Sequence, residues 1–367
     1  MTSGSASRSG HPQSKLKRWP RAWRWFVRAA PWLLAAVVLV LVLRQALTLD
    51  WQAAFAALHS LPWTVIAAAA AVAVAAHAAH ASYDLVARRV VGHGASALRS
   101  AAIGAVSFAL TLNFGALIGG VAVRLRLYRR AGVPLQQGAA VVVSGMAVNW
   151  CGFAVLMAAV LLCAETLPWP AHLEQPRDGW RYGAALLALV LPVLALLVCA
   201  RRGGQPVPHW MRLRGLAAAR NPMRYPTLPQ ATLWLALALA SWSLAASVVW
   251  VLLQGAAPWW WVVSAMGLAA VAGVLAHVPG GLGVLEAVVL ATLSPSVPPA
   301  TVLAALLGYR MLYYGLPLLA AAVAYAVLER AGPSIPVGPP KPRPSGSEAV
   351  ASPVSSSVAT LRGMQGR

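Results

Sequence analysis

The chain has 367 residues, is 59% hydrophobic and 10% charged, and carries a formal net charge of +21. Soluble domains average roughly 45–50% apolar and about 25% charged residues, so a water-soluble globular protein is excluded. Nucleic-acid binding is not the reading of this charge either: the arginines fall between apolar runs and in the tails, where the positive-inside rule expects them.

In chain order, Met1 to Arg28 is a basic lead with Lys15, Lys17, Arg18, Arg21, Arg24 and Arg28 and no acid. It resembles a signal peptide, but no clear cleavage site follows and further spans do. It therefore predicts a first helix over Trp32 to Leu49 with a cytoplasmic N-terminus. Asp50 to Ser60 is a short amphipathic connector outside. Leu61 to Tyr83 returns inward and is mostly Ala, which permits close helix approach. It leads into Asp84, and His77, His80 and Asp84, at i, i+3 and i+7, share one face. Arg88, Arg89 and Arg99 mark the cytoplasmic end.

Ala101 to Ile118 has cytoplasmic-type flanks on both sides: Arg99 before it, and Arg124, Arg126, Arg129 and Arg130 after it. Asn113, Gly115, Gly119 and Gly120 weaken a helix here. A full crossing would put the six Arg of Arg201 to Arg224 outside, and Ala164 to Arg181, with two Arg and three acids, inside. The positive-inside bias favours a re-entrant segment from the cytoplasmic side. Leu135 to Cys163 then crosses outward, Tyr182 to Ala200 inward and Pro226 to Leu253 outward. In the loop between the last two, His209 to Arg220 is expected along the lipid surface. Trp259, Trp260 and Trp261 form an aromatic anchor after Pro258.

His277 to Glu286, HVPGGLGVLE, separates the apolar runs Trp259–Ala276 and Val284–Leu293. Pro removes a backbone donor and three Gly remove helix support, so a continuous helix is not expected. Broken backbone at membrane depth needs protein or a cavity to supply its partners. The bland reading is an ordinary surface turn. Ser294 to Pro299 turns the chain, Thr301 to Leu328 crosses inward, and Ala331 to Arg367 is a Pro/Ser/Gly-rich, disordered tail.

The expected fold is an all-α polytopic membrane protein with about six crossings and two re-entrant broken segments. The plan is a basic segment 1–31, a transmembrane domain 32–328 with halves 32–163 and 182–328, and the tail 329–367. The halves read as an inverted repeat, the plan of many secondary transporters. Only Gly119-Gly120 against Gly280-Gly281 hints at it in sequence. Both termini are expected in the cytoplasm.

Of eight acids, only Asp84 and Glu286 belong to membrane segments. Ionisable groups at depth usually face a cavity or a partner. Arg124 and Arg310 are the candidate partners, and opposed breaks would bring Arg124 and Glu286 into one interior. Purely local pairing is the bland alternative, since His80 can reach Asp84 within one turn and Arg310 can serve helix packing. A metal site at His77, His80 and Asp84 has no second cluster behind it, and no metal or cofactor is expected. There is no GxSxG, no Cys beside a His and no Walker-type loop. Cys151, Cys163 and Cys199 form no CxxC pair and read as small buried hydrophobes.

Four motifs in order carry a resemblance. Asn113 to Pro134, NFGALIGGVAVRLRLYRRAGVP, is similar to an Asn, Gly-Gly, Arg, Gly-hydrophobic-Pro pattern. HVPGGLGVLE is similar to Pro-Gly-Gly-x-Gly-x-x-Glu, with His277 at its head a departure. Tyr309 to Pro317, YRMLYYGLP, and Tyr83-Asp84 complete the set. Over Trp32 to Leu328 the chain resembles the lysylphosphatidylglycerol synthase transmembrane region, the YbhN-like membrane proteins. The resemblance implies an inner-membrane protein with a flippase-like fold. In bifunctional relatives a cytoplasmic acyltransferase domain follows. The tail here leaves no room for it, so aminoacyl transfer is not carried over.

The charge argument and the motifs together give a candidate substrate-binding set: Asp84, Asn113, Gly119, Gly120, Arg124, Pro279, Gly280, Gly281, Gly283, Glu286, Tyr309 and Arg310. The leading function is a translocator of a phospholipid or lipid-linked substrate, with anionic membrane phospholipids as partners and no nucleic acid. A homo-oligomer is compatible with it. The alternatives are an intramembrane enzyme acting on a headgroup, with Asp84, His80 or Glu286 as acid and base, and an assembly protein with a structural polar interior.

Overall fold

The computed structural model describes residues 51–164, 179–207, 224–276 and 278–331. The basic lead, the expected first helix, most of the Ala164–Arg181 loop, His209 to Arg220, His277 and the tail lie outside the described residues. Among the described residues the regular elements are helical. The elements are α1 (Trp51–His59), α2 (Trp63–Val91), α3 (Ala97–Phe114), α4 (Arg124–Arg130), α5 (Leu135–Cys163), α6 (Gly179–Arg202), α7 (Leu228–Leu252), α8 (Trp259–Ala276), α9 (Val284–Leu293), α10 (Pro299–Tyr309) and α11 (Leu316–Arg330). Wider π-helical turns, Ala116–Val123 and Arg310–Gly315, lead into α4 and join α10 to α11. Seven helices among the described residues are long and apolar enough to cross a membrane, with α10 to α11 counted as one. The chain is an all-α polytopic membrane protein.

Local chemistry sets the boundaries. α2 begins after Pro62 and ends at Gly92, whose left-handed backbone (φ 72°) lets its N–H reach the Arg88 carbonyl. Asp84 lies inside this helix with His77 and His80, as expected, and the Asp84–Val91 turns bury Asp84, Val86, Ala87 and Val91 against neighbours. The Ser96 side chain caps α3 by accepting the Arg99 N–H at 3.2 Å. Gln230 caps α7 by accepting the Thr227 N–H at 3.0 Å.

Two hairpins are built on broken backbone. In the first, α3 stops at Phe114 and the chain reverses through Gly115 (φ 85°). The π segment and α4 then run back along α3. A Cβ on Gly119 would lie 2.2 Å from backbone atoms of Leu110 and Thr111, so only glycine fits there. Expected as the break, Gly119 and Gly120 instead form the contact surface of the returning arm, one turn past the reversal. In the second hairpin, α8 reverses into α9 through Pro279–Gly281, with Gly280, Gly281 and Gly283 all at positive φ.

Both ends of the first hairpin meet the end of α11. Near its start, Arg99 Nη2 donates to the Ala331 carbonyl at 3.1 Å. Near its finish, Arg126 Nε and Arg130 Nε donate to Glu329 Oε1 and Oε2 at 2.6 and 3.1 Å. Both flanks of this hairpin therefore lie at one end of the bundle.

The apolar packing falls into two cores. One gathers Ala69, Ala73 and Ala76 of α2 with Val248, Val249 and Leu252 of α7 and the second hairpin, including Val262, Ala265, Val289 and Leu290. The other gathers Tyr83, Val86 and Ala87 of α2 with Ile103 and Val106 of the first hairpin, Tyr128, Val141 and Trp234. Along α2, His77 and His80 fall between the two. Burial of this much apolar surface, at ~25 cal/mol per Å², fixes the hairpins against the crossings.

Candidate functional site

The hairpin tips touch. A Cβ on Gly280 would lie 3.2 Å from the Asn113 carbonyl oxygen and 3.3 Å from that of Leu112, so the second tip rests on the end of α3. The π-helical turn of the last span holds both tips. Asn113 Nδ2, already donating to Ala109 O at 2.9 Å, reaches the Tyr314 carbonyl at 3.4 Å. Arg310 closes on the other tip: Nη1 donates to Gly280 O at 2.6 Å, Nη2 to Gly281 O at 3.0 Å and Nε to Glu286 Oε1 at 2.7 Å. Glu286 Oε2 accepts from Gly283 N–H at 2.8 Å and from Arg310 Nη2 at 3.2 Å. The Arg310 guanidinium also lies 4.5 Å from the Tyr314 ring centroid. Reversal at Pro279–Gly281 frees backbone carbonyls, and the planar fork of an arginine is the side chain that can bind two of them and a carboxylate together. π-Bulges widen a helix locally and recur at functional sites.

A second polar group lies on α2, α3 and α4. Asp84, only 1% exposed, accepts a hydrogen bond from Tyr128 Oη at 2.8 Å and has Arg124 Nη1 at 3.7 Å. Gly104 of α3 packs on the carboxylate: a Cβ there would sit 3.1 Å from Asp84 Cγ. His80 stacks on Tyr83 and Phe108, with ring centroids 4.3 and 3.5 Å apart. His77 Nε2 lies 3.1 Å from the Tyr313 carbonyl, so the π turn touches this side too.

The arrangement corrects the expected pairing. Arg124 does not take Glu286 as its ion-pair partner. Arg124 pairs with Asp84, and Glu286 with Arg310. The cause is local: Glu286 is the third residue of α9 and reaches its own turn, where Arg310 already binds the freed carbonyls. Nor does His80 engage Asp84, because aromatic stacking holds its ring. The three residues at i, i+3 and i+7 do share the interior, but His77 turns to Tyr313 rather than to Asp84. Tyr309 is buried and stacks on Tyr313 at 4.9 Å. Sequence reasoning missed Tyr128. Tyr128 lies four residues after Arg124 in RLRLYRR, a spacing that puts both on one helix face and could have signalled it.

At the foot of the first hairpin a groove of about 630 Å³ is lined by Ala122, Leu125, Arg126, Arg129, Arg130 and Leu135. Its lining combines three apolar side chains with three arginines.

A family model, the lysylphosphatidylglycerol synthase TM region, matches residues 29–321. The match takes in both hairpins and the π turn. The inner membrane protein YbhN of Escherichia coli is 27% identical over 315 residues, 85% of this chain and 95% of its own length. An uncharacterized protein of Synechocystis sp. is 28% identical over 328 residues, 84% and 94% of the two chains.

Proposed function

Because the chain belongs to the lysylphosphatidylglycerol synthase transmembrane-region family, we propose that it is an inner-membrane translocator of a phospholipid or lipid-linked substrate. The single observation that carries this reading is the contact of two broken hairpins, tip on tip, beside a π-helical turn bearing Arg310. Discontinuous helices that meet at depth are how many transporters offer backbone and charged groups to a substrate while keeping it from hydrocarbon. In this reading the first hairpin inserts from the cytoplasmic side and the second from the opposite side, as halves of an inverted repeat.

The substrate headgroup occupies the polar interior between the two cores, next to Arg124, Asp84 and Asn113, while acyl chains stay in the bilayer. The groove at Arg126, Arg129 and Arg130 supports an anionic headgroup, since cations beside apolar side chains suit a phosphate and an acyl chain together. The E. coli relative's name supports the inner membrane as the location. The Glu286–Arg310 clamp holds the second tip and is not itself the headgroup site.

The test is reconstitution of the purified chain into vesicles with fluorescent phospholipids, reading leaflet position by quenching and lipid identity by mass spectrometry. The expected result is a change of leaflet with no change of identity, lost in Arg124→Gln. A chemically altered lipid would point to an enzyme. A folded wild-type protein that moves no lipid would end the translocator reading.

A further inference from the structure

The two ion pairs, one half-buried and one buried, are built in opposite ways. Arg310 and Glu286 share hydrogen bonds at 2.7 and 3.2 Å, with every polar atom engaged. Arg124 Nη1 stands 3.7 Å from Asp84 Oδ1, beyond hydrogen-bond reach. Among the described residues, Asp84 Oδ1, Arg124 Nε, His80 Nδ1 and Ser107 Oγ have no hydrogen-bond partner, although all are buried. Buried polar groups are normally paired, and a group that is not calls for a specific cause. A carboxylate and a guanidinium held apart in an apolar interior are suited to exchanging partners rather than to staying closed.

Asp84 is faced from each neighbouring element by identifiable groups. On α2, the His80 ring stays stacked on Tyr83 and Phe108, and Tyr83 Oη reaches Asn149 of α5 at 3.5 Å. α3 contributes Gly104 against it. From α4 come Tyr128 and Arg124. Ser100 of α3 and His93 lie beside Tyr128, and Ser241 of α7 beside Tyr83. Arg124 is the cation among them.

We propose that Asp84 binds an exchangeable proton and thereby couples lipid movement to a proton gradient. This rests on the translocator reading. When an anionic headgroup arrives, Arg124 turns from Asp84 to the headgroup oxygen. Asp84 Oδ1 then takes a proton from water on that side, forming an O–H bond. The net charge of the cluster is the same before and after, because the headgroup replaces the carboxylate as the anion beside Arg124. That conservation avoids stranding a charge in low dielectric. When the headgroup leaves on the other side, Arg124 returns and the proton goes to water there.

The experiment uses phosphatidylglycerol-containing vesicles, a fluorescent phosphatidylglycerol and an imposed pH difference. One proton per lipid supports up to ~tenfold leaflet asymmetry per pH unit, since one unit is a tenfold free-energy step. Wild type is expected to build that asymmetry and to reverse it when the gradient is reversed. Asp84→Glu, which keeps a protonatable group, retains the response, and Asp84→Asn loses it. The size-exclusion profile and melting temperature of the Asp84→Asn protein, compared with wild type, guard against a folding defect, and reversal of the wild-type asymmetry with the gradient does not depend on that variant. Wild-type protein that equilibrates lipid equally with and without the gradient overturns the coupling but leaves translocation standing. An Asp84→Asn protein that still follows the gradient overturns it as well. No lipid movement under any gradient instead removes the translocator reading.

Discussion

Gly119 and Gly120 are adjacent and look equivalent in sequence, yet the fold separates them. A Cβ at Gly119 meets the Leu110–Thr111 backbone at 2.2 Å, whereas one at Gly120 meets the Thr111 hydroxyl at 3.1 Å. Backbone cannot move aside as a hydroxyl can. Gly119→Ala is therefore expected to destabilise by ~1–3 kcal/mol, in the range for overpacking, and Gly120→Ala by clearly less. Thermal unfolding of the two purified variants checks the order, and equal losses would contradict it. His93, between α2 and α3, carries a pH dependence. Burial, then the nearby Arg88 charge, push its imidazole down to about 4, and neither ring nitrogen has a hydrogen-bond partner among the described residues. Between the ordinary value of about 6.5 and about 4, the unfolded chain binds a proton that the folded chain refuses. Stability is thus full above about 6.5 and falls as pH drops toward 4. His93→Phe should flatten this part of the melting-temperature profile, and an unchanged acid slope would refute the assignment.

At the scale of elements, the π turn Arg310–Gly315 organises the second hairpin. Arg310 binds two carbonyls and a carboxylate with one planar fork. Lysine offers a point charge and cannot reproduce that geometry. Arg310→Lys is expected to cost about 2 kcal/mol or more, from hydrogen bonds to charged groups that go unmade. The surface cluster of Arg126, Arg130, Tyr325 and Glu329 joins the first hairpin to α11 with equally short contacts. Its arginines are solvent-exposed, with side chains 61% and 56% accessible, so water screens the pairs and Glu329→Gln should cost less than Arg310→Lys. Comparing the two variants in one unfolding assay tests the contrast, and an Arg310→Lys protein as stable as Glu329→Gln would undo the clamp. The elements were largely legible in the sequence. Trp259–Ala276, Val284–Leu293 and Leu135–Cys163 are helices at the expected limits, because Pro, Gly and hydropathy act locally. The reversal at Gly115 was not distinguished from Gly119-Gly120, since a glycine at a turn and one at a close contact look alike. Ion-pair partners were less legible still: which guanidinium meets Glu286 depends on where a helix 24 residues away is packed. The bulge that aims Arg310 there leaves no mark in the apolar pattern.

For the whole molecule, the two hairpins meet tip on tip, and the proposed function has them insert from opposite faces. The contacts of Arg99, Arg126 and Arg130 with the end of α11 place both flanks of the first hairpin at one end of the bundle. The proposed orientation puts that end in the cytoplasm, following the distribution of arginines. The second hairpin starts after the Leu253–Pro258 turn, at the far end of α7, and its tip reaches Asn113. The most direct measurement is the sidedness of single cysteines placed at exposed flank positions in a variant lacking Cys151, Cys163 and Cys199, probed in intact cells with a membrane-impermeant thiol reagent. Cysteines at Ser96 and Arg129 should both react only from the cytoplasmic side, and cysteines at Ala256 and Ser296 only from outside. Labelling of Ser96 and Arg129 from opposite sides, or of Ala256 and Ser296 from opposite sides, would make that hairpin a full crossing and contradict the account.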